Sequence, residues 1–464
     1  PAKLIDPATG QPTDATTIPA KDAKGNTVGT YTIDPTTGKV TFTPNKDFVG
    51  TPVPATVQAK DANGTPTTAT YTPTVKPVTP EGINTFTEDI QGTPQSGKPE
   101  FKPGKTTING KEVEVPMDDN TPAKLVDPTT GQEVTSVTIP NEGTYTVDAD
   151  GTVHFTPDPQ FHGKGQTLKV VRQDTNGTKV TAEYTAVVKP ATPEGTEVLT
   201  AGVQGKEQSG RPNFIGGKAE VNGVEKTVAI DETKPAKLID PTTNQEVDKV
   251  VIPGEGTYTV AEDGTVTFTP EKSFTGQATG VTVKREDKNG TPVTAQYTPV
   301  VLPVTPTSKD VTSIGEKGAK QSETPVFKAG TTKLNGKTIT VPIDEKVAPT
   351  FEDGTTEKVV PGEGTYTIDK NGKVTFTPEK DFVGKASGVT VKRVDENGTP
   401  VTATYTPTVL GKTSTKDVTS EGAKNTPQSN TPEFKGDVDT TVPPTFEDGT
   451  TEKVVPGEGT YTID

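Results

Sequence analysis

The side chains able to do acid–base or nucleophilic chemistry are few in this chain. Its 464 residues include two histidines, His154 and His162, and no cysteine. Both histidines fall in one copy of a repeated segment, and the other copies carry Thr or Val at those positions. A catalytic imidazole needs a nucleophile or a carboxylate partner. We therefore predict no catalytic residue and no enzymatic activity, and we interpret both histidines as exposed or edge side chains.

Two acidic loops, residues 148–151 (Asp-Ala-Asp-Gly) and 174–177 (Asp-Thr-Asn-Gly), have a slight similarity to calcium-binding loops. Neither is followed by the Glu that completes an EF-hand. Asp, Asn and Gly are also the residues that tight turns require. We predict plain turns, no metal site and no cofactor, with weak surface binding of Ca²⁺ as the alternative.

Lys124 and Lys237, each in an Ala-Lys-Leu-x-Asp stretch, are candidates for a covalent bond to an Asn or Asp side chain. The last two copies of the repeat lack this lysine, so we do not expect such a crosslink to be general. An intact-mass measurement would reveal it.

The composition excludes several classes of protein. The formal net charge is −15 and the basic residues are interspersed, which disfavours nucleic acid and anionic lipid as partners. No apolar run is long enough to span a membrane. Only 28% of the residues are hydrophobic, while Gly and Pro number 47 and 44. Several small cores fit this composition better than one large core.

The aromatic residues reveal an internal repeat of roughly 110 residues, the size of an independent domain. Tyrosine recurs in two series, and phenylalanine recurs after them in Phe-Thr-Pro and six residues later. Aromatics held at fixed positions in each copy are best interpreted as core residues, because they bury the most area. The predicted core aromatics are Tyr31, Tyr71, Tyr145, Tyr184, Tyr258, Tyr297, Tyr366, Tyr405, Phe42, Phe155, Phe268, Phe376, Phe48, Phe161, Phe274 and Phe382.

Each copy has the pattern of short strands and hairpins. Alternating runs such as 256–260 and 266–270 flank a turn that ends in Gly264, and a second hairpin turns at Asn289-Gly290. Residues 104–115 form a candidate third hairpin around Asn109-Gly110. Pro-rich stretches such as 188–193 then close the copy and are expected to stay extended. Two polar segments, 91–98 and 416–430, are expected to be loose.

We therefore predict an all-β fold: an elongated tandem array of antiparallel β-sandwich-like domains of about 110 residues, joined by Pro-rich linkers. The predicted boundaries are 1–76 for a truncated first repeat, 77–189 for the second, 190–302 for the third, 303–410 for the fourth and 411–464 for a truncated fifth. Because the sequence starts and stops inside a repeat, we expect it to be a piece of a longer protein.

The repeating unit resembles a known family. Gly-Thr-Tyr-Thr-Ile-Asp (364–369), Val-Thr-Phe-Thr-Pro (374–378) and Arg393 to Thr399 are similar to the CshA-type fibril repeats of streptococcal cell-surface adhesins, and the similarity covers essentially the whole chain. Two departures stand out: the fourth and fifth units carry Thr-Phe-Glu-Asp-Gly instead of Ala-Lys-Leu-x-Asp, and the fifth is shortened.

The resemblance implies the stalk of a cell-wall-anchored fibrillar adhesin, located outside the cell. A separate N-terminal region would then bind host extracellular matrix, including fibronectin, or other cells, and the wall anchor would lie outside this sequence. Three alternatives remain open at this point. The repeats themselves bind matrix or cells through multivalent weak contacts, part of the array is disordered, or, as a remote option, the chain cleaves glycans.

Overall fold

The computed structural model describes all residues from Pro1 to Asp464. It consists of strands joined by turns and loops, without any helix, so the all-β prediction is confirmed. The chain forms two compact units, each held together by contacts among its own residues. The first comprises 1–196, 213–235 and 284–295, and the second comprises 197–212, 236–283 and 296–464.

The first repeat contains strands in one four-stranded and one three-stranded sheet. They are β1 (Lys3–Asp6), β2 (Gln11–Pro12), β3 (Thr17–Lys21), β4 (Thr27–Ile33), β5 (Val40–Pro44), β6 (Ala55–Lys60) and β7 (Pro66–Tyr71).

The second repeat has the complete set of strands. They are β8 (Glu81–Ile83), β9 (Thr85–Ile90), β10 (Gln95–Gly97), β11 (Glu100–Lys102), β12 (Gly104–Ile108), β13 (Lys111–Val115), β14 (Lys124–Val126), β15 (Glu133–Val134), β16 (Ser136–Ile139), β17 (Gly143–Val147), β18 (Val153–Pro157), β19 (Gly163–Lys164), β20 (Leu168–Gln173) and β21 (Lys179–Lys189).

The third repeat has the same order of strands. They are β22 (Glu194–Thr196), β23 (Val198–Val203), β24 (Gln208–Gly210), β25 (Asn213–Ile215), β26 (Gly217–Val221), β27 (Val224–Val228), β28 (Lys237–Ile239), β29 (Glu246–Val247), β30 (Lys249–Ile252), β31 (Gly256–Val260), β32 (Val266–Pro270), β33 (Gly276–Gln277), β34 (Val281–Glu286) and β35 (Pro292–Leu302).

The fourth repeat lacks one short edge strand and the fifth is reduced to two hairpin-like pairs. Their strands are β36 (Thr307–Lys309), β37 (Val311–Glu316), β38 (Gln321–Glu323), β39 (Val326–Lys328), β40 (Gly330–Leu334), β41 (Lys337–Val341), β42 (Thr350–Phe351), β43 (Glu357–Val360), β44 (Gly364–Ile368), β45 (Val374–Pro378), β46 (Gly384–Lys385), β47 (Val389–Val394), β48 (Pro400–Leu410), β49 (Thr413–Lys416), β50 (Glu433–Gly436), β51 (Glu452–Val455) and β52 (Gly459–Thr462).

The second repeat shows how the strands form a sandwich. One sheet has the order β10-β18-β17-β16, and the other has the order β15-β14-β20-β21-β19, with β9 also paired to β21. Along β18 the side chains are alternately buried and exposed, because successive residues of a strand point to opposite faces. The buried side chains of the two sheets meet in one core, and all its members come from this repeat.

Most of the predicted core aromatics lie in the interiors of the repeats. Tyr31, Tyr145, Tyr184, Tyr258, Tyr297, Tyr366, Tyr405, Phe155, Phe268 and Phe376 are almost completely buried. The ring of Tyr145 stacks on Phe155 with centroids 4.3 Å apart, and Tyr184 meets Tyr145 edge-on at 6.3 Å. Phe48, Phe161, Phe274 and Phe382 are half-buried, and Phe161 packs edge-on against Phe155 at 6.4 Å.

Two predicted core aromatics of the first repeat are less buried than their counterparts. Tyr71 is 38% exposed and Phe42 is half-buried. In the second repeat β9 pairs beside Tyr184 and β10 pairs beside Phe155. The first repeat has no strand in either place, since β7 pairs only with β6 and β5 only with β4. The interpretation of Tyr71 as a core residue is therefore wrong for this copy.

The predicted third hairpin is present in all three copies that contain its sequence. The pairing of β12 with β13 begins beside the turn, at Ile108 with Lys111, and continues along both strands. The two strands form a two-stranded sheet separate from the sandwich. Asn109 and Gly110 have φ angles of 49° and 76°. Two successive positive φ angles define the tight turn that Asn-Gly adopts with the least strain.

The sheets are antiparallel as predicted, apart from one parallel pair in each complete repeat, which joins β9 to β21, β23 to β35 and β37 to β48. One expectation from the sequence needs correction. The segment 91–98 is not loose. Gln91 and Gln95 are buried, and β10 pairs with β18. The buried side-chain amides are hydrogen-bonded, which offsets the cost of removing them from water.

Candidate functional site: the joints between repeats

The 2–3 joint, formed by Ile90 and Gln91, the linker 190–193 and the hairpin 217–228, contains a small apolar cluster. Ile90, Ala191, Val221 and Val228 are all buried in it. Ala191 belongs to the Pro-rich linker, so the linker is packed between the second repeat and the hairpin of the third. This corrects the expectation of a simple extended tether.

A glycine makes the close approach at this joint possible. A Cβ atom on Gly217 would lie 2.3 Å from the carbonyl carbon of Ala191. Real Cβ atoms do not come so near to backbone, so any larger residue would push the hairpin away from the linker. Gly104 and Gly330, at the same position of the neighbouring repeats, would meet the backbone of Thr79 and of Thr305 at 2.7 Å.

Gln91 is the polar centre of the joint. Its side-chain Oε1 accepts a hydrogen bond from the amide of Ala191 at 3.1 Å, and its Nε2 donates to the carbonyl of Pro159 at 3.2 Å. Its backbone carbonyl accepts a hydrogen bond from Nδ2 of Asn289 at 2.9 Å. The buried side-chain amide is thus satisfied at both ends, by the linker and by a loop of its own repeat, while the backbone carbonyl of the same residue is bonded by the following repeat.

Asn289 reaches the joint from the tip of a hairpin in the third repeat. The buried carboxylate of Asp287 holds the turn by accepting from the amides of Asn289 and Thr291, each at 2.9 Å. The carbonyl of Asn289 accepts from Nε2 of Gln160 at 2.8 Å, and Oγ1 of Thr291 donates to Oε1 of Gln160 at 3.1 Å. The turn is therefore tied to the second repeat at several atoms.

The 3–4 joint repeats this arrangement. Val203, Val304 and Val341 form its buried cluster. Oε1 of Gln204 accepts from the amide of Val304 at 3.2 Å, and the carbonyl of Gln204 accepts from Nδ2 of Asn397 at 2.9 Å. The same residue types at corresponding positions thus build two successive joints.

Charged side chains add to the 2–3 joint. Nζ of Lys226, on the hairpin of the third repeat, lies 2.8 Å from Asp89 of the second. Nζ of Lys189 donates to the carbonyl of Glu220 at 2.6 Å and lies 3.2 Å from Glu88. Part-buried ion pairs with several partners restrict the joint more than an isolated surface pair would.

The 4–5 joint is built differently. Lys317 stands where the other joints have Gln, and its Nζ donates to Asp437, whose other carboxylate oxygen accepts from the amide of Lys412 at 2.8 Å. The hydrogen bond from Lys317, followed by the one from the Lys412 amide, lowers the pKa of Asp437. Here the hairpin of the other joints is missing, and a salt bridge links the two repeats instead.

The remaining candidate residues lie apart from the joints. His154 is exposed with its Nε2 2.7 Å from Asp148, and His162 is exposed too. In the acidic loops Asp150 accepts from the amide of Thr152, and Asp174 accepts from the amides of residues 176 and 178, so these carboxylates hold turns. No group of three or more His, Asp or Glu side chains converges in a metal-binding arrangement.

The candidate crosslinking lysine Lys237 forms a salt bridge with Asp248 at 2.7 Å. The Asp248 side chain is 70% exposed. Amide formation between a lysine and a carboxylate is favoured where apolar surroundings bury both groups, and this pair lacks such surroundings on the carboxylate side. Lys124 is half-buried on the corresponding strand β14.

Sequence reasoning missed the joint residues Gln91, Gln204, Asn289 and Asn397. A signal for them exists, since both glutamines and both asparagines recur at corresponding positions of successive repeats. Turn geometry alone already explains an asparagine before each glycine, so the sequence offers no separate reason to expect these asparagines to bond the neighbouring repeat.

A succession of β-sandwich repeats whose joints are assembled from the repeats' own residues defines a modular repeat protein. The sequence profile described as the surface adhesin CshA repetitive domain matches residues 1–75, 77–188, 190–301 and 303–409. The chain belongs to this family of surface adhesin repeats, which places it at the cell surface, on the outside. No curated protein matches the chain.

Several solved structures of tandem domains are similar to the chain at low levels. The I9–I11 tandem of titin has 10% identity and a TM-score of 0.28, and the match covers 71% of this chain and 97% of the titin chain. Mouse cadherin-23 EC22–24 has 14% identity and a TM-score of 0.25, covering 72% and 99%. A tetra-tandem repeat from the extending region of a large adhesion protein has 16% identity and a TM-score of 0.22, covering 85% and 91%.

None of the chain's elements is a helix with the length and hydropathy needed to cross a bilayer.

Proposed function

We propose that these repeats are the structural stalk, or spacer, of a cell-wall-anchored fibrillar adhesin. In this proposal the stalk projects an adhesive region of the full-length protein away from the cell surface, towards host extracellular matrix or other cells. The repeats themselves carry out no catalysis, in keeping with the adhesin family to which they belong.

The observation that carries the proposal is the burial of the linkers in the joints. A spacer is effective only if successive domains cannot fold back on each other, because a freely jointed chain of domains covers much less distance than its contour length. Ala191 and Val304 are each 1% exposed, and the linker amide of each is hydrogen-bonded to a buried glutamine. Such contacts favour one orientation of neighbouring repeats over many.

Small-angle X-ray scattering on the full chain tests the proposal. Domains of this size placed in line give a radius of gyration of about 40 Å, whereas a compact globule of the same length gives about 23 Å. We expect the larger value. A value near that of the globule would show that the repeats pack together and would overturn the spacer function.

A matched pair of variants sharpens the measurement. Gln91→Ala combined with Gln204→Ala removes the polar centres of two joints, and we expect a broader distribution of interatomic distances. Gln132→Ala combined with Gln245→Ala changes two exposed glutamines on loops away from the joints, and we expect no change. If the two double variants behave alike, the joints do not set the reach of the chain.

A further inference from the structure

The first and last strands of the sandwich lie side by side in every repeat that has both. In the second repeat, β9 pairs in parallel with β21 over six residue pairs, from Thr85 with Tyr184 to Ile90 with Lys189. Strands β23 and β35 form the same pairing in the third repeat, and β37 and β48 form it in the fourth. The first repeat has no strand beside β7.

This pairing has a definite mechanical consequence. When the chain is under tension, force enters the second repeat through the short strand β8, which pairs with β11 over only three residue pairs, reaches the start of β9, and leaves at the end of β21. Because the strands are parallel, these two points lie at opposite ends of the pair. Tension therefore slides the strands along each other and loads all the hydrogen bonds of the ladder together, whereas a pair pulled from one end separates bond by bond.

A side-chain network reinforces the ladder at the same place. Oγ1 of Thr87 donates to Oε1 of Gln95 at 2.6 Å and lies 2.7 Å from the hydroxyl of Tyr184. Nε2 of Gln95 donates in turn to the carbonyl of Val187 on β21 at 2.9 Å. The network thus joins β9 and β21 through Tyr184, which is anchored in the aromatic core.

The other two pairs have the same network with the same spacing. Thr200 bonds Gln208 and Tyr297 at 2.7 and 2.8 Å, and Ser313 lies 2.6 Å from the hydroxyl of Tyr405. A hydroxyl residue, a buried glutamine and a buried tyrosine therefore recur at the paired terminal strands of all three repeats.

We propose that the parallel pair of terminal strands is a mechanical clamp, the part of each complete repeat that resists unfolding when its two ends are pulled apart. The clamp rests on the spacer function and gives the spacer resistance to tension. Each of the two proposals can be disproved without the other. Scattering tests the reach of the chain at rest, whereas pulling tests the force that one repeat withstands.

The test is single-molecule pulling of the full chain from two alternative points. The sequence has no cysteine, so one introduced cysteine gives a unique attachment site. Thr79→Cys places it before β9, and Pro94→Cys places it just after β9; both positions are exposed. The other attachment is the C-terminus in both cases.

The two attachment points load the second repeat differently. From residue 79 the pair β9–β21 is sheared, whereas from residue 94 it is peeled from the end at which both strands stop. We expect three strong unfolding events with the first attachment, each releasing about 40 nm of chain. With the second attachment we expect two strong events, and the second repeat should open at clearly lower force. Equal resistance from both points would overturn the clamp.

A pair of proline variants, pulled from residue 79, tests the ladder itself. The amide of Gln91 donates to the carbonyl of Lys189, so by alternation along the strand Thr87 also directs its N–H towards β21, and Phe86 directs its N–H away. Thr87→Pro should lower the unfolding force of the second repeat, and Phe86→Pro should leave that force unchanged. Proline removes a hydrogen bond of the ladder only where the N–H of the replaced residue donates to the neighbouring strand.

Thr87→Val completes the set, since it keeps the backbone N–H and removes the hydroxyl. Its unfolding force should lie between those of the two proline variants. Unchanged strength in Thr87→Pro would overturn the clamp. If that variant does not fold, the comparison of attachment points still decides, because it leaves the ladder intact.

Discussion

The interior of a repeat and the joint between repeats are built from different residues. The interior of the second repeat is dominated by Tyr145, Phe155 and Tyr184, which are fully buried and in ring contact. The buried cluster of the 2–3 joint has only aliphatic side chains, such as Ala191 and Val221, and no aromatic ring, beside one buried amide. The difference suggests that stability of the fold and orientation of neighbours depend on separate residues and can be changed separately.

The largest effect should come from the interior. Phe155→Ala removes a fully buried ring, and truncations of this kind cost about 3–5 kcal/mol in free energy of unfolding. We expect chemical denaturation to show one early transition for the second repeat, while the other repeats unfold as before. Phe86→Ala is the control, because that ring is 68% exposed and its loss should change stability by less than about 0.5 kcal/mol. Equal effects would contradict the assignment of the core.

High pH should also act on the interior and spare the joints. Burial raises the pKa of Tyr366 to about 12, and burial also raises the pKa of Tyr145, Tyr184, Tyr258 and Tyr405. Because the unfolded chain loses these protons near pH 10, this contribution to stability is complete below about pH 10 and is lost as the pH rises through the folded value, at about 1.4 kcal/mol per pKa unit.

Titration followed by tyrosinate absorbance and circular dichroism checks this expectation. Ionisation of the buried tyrosines should coincide with loss of β structure in the pH range 10 to 12. Tyr366→Phe should reduce the loss in the fourth repeat alone. Ionisation without unfolding would mean that water reaches these hydroxyls in the folded state.

The sequence predicted the interior of the repeats much better than it predicted the joints. Asn109-Gly110 and the alternating run 153–157 act locally, because a turn and the strands beside it are specified by neighbouring residues. The pairing of β9 with β21 joins Thr87 to a residue 97 positions away, and the bond from Asn289 to Gln91 spans 198 positions. No local pattern encodes such contacts, and polar residues around Gln91 favour a loop when their partners are unknown.

The joint should respond to changes that leave the interior intact. Gln91→Ala leaves the amide of Ala191 and the carbonyl of Pro159 without their partner, which costs about 1–3 kcal/mol for buried groups. We expect the Ala191 amide to exchange with solvent about ten-fold faster or more. The amide of Val304, bonded to Gln204 in the next joint, is the control in the same molecule. Equal acceleration at both amides would show that the joints are not independent.

The smallest effect should be at the 4–5 joint. Because the bond from Lys317 lowers the pKa of Asp437, the stabilisation is present above the ordinary pKa of an aspartate, about 3.9, and is lost as the pH falls through the lower folded value. The NMR signals of Lys317 and Lys412 should shift together in that pH range. Asp437→Asn should abolish the shift, whereas Asp417→Asn, an exposed change nearby, should preserve it. Persistence of the shift in Asp437→Asn would assign it to another group.

The correspondence between the 2–3 and 3–4 joints also bears on how such a gene can change. Gln91 with Asn289 and Gln204 with Asn397 are interchangeable sets of contacts. An unequal crossover that deletes the third copy, or inserts another copy like it, would therefore leave each such boundary with its glutamine and asparagine, whereas the 4–5 joint depends on Lys317 and Asp437 instead. The number of copies can then drift between strains without compensating substitutions, whereas a crossover out of phase by part of a copy would separate a glutamine from its asparagine and be selected against.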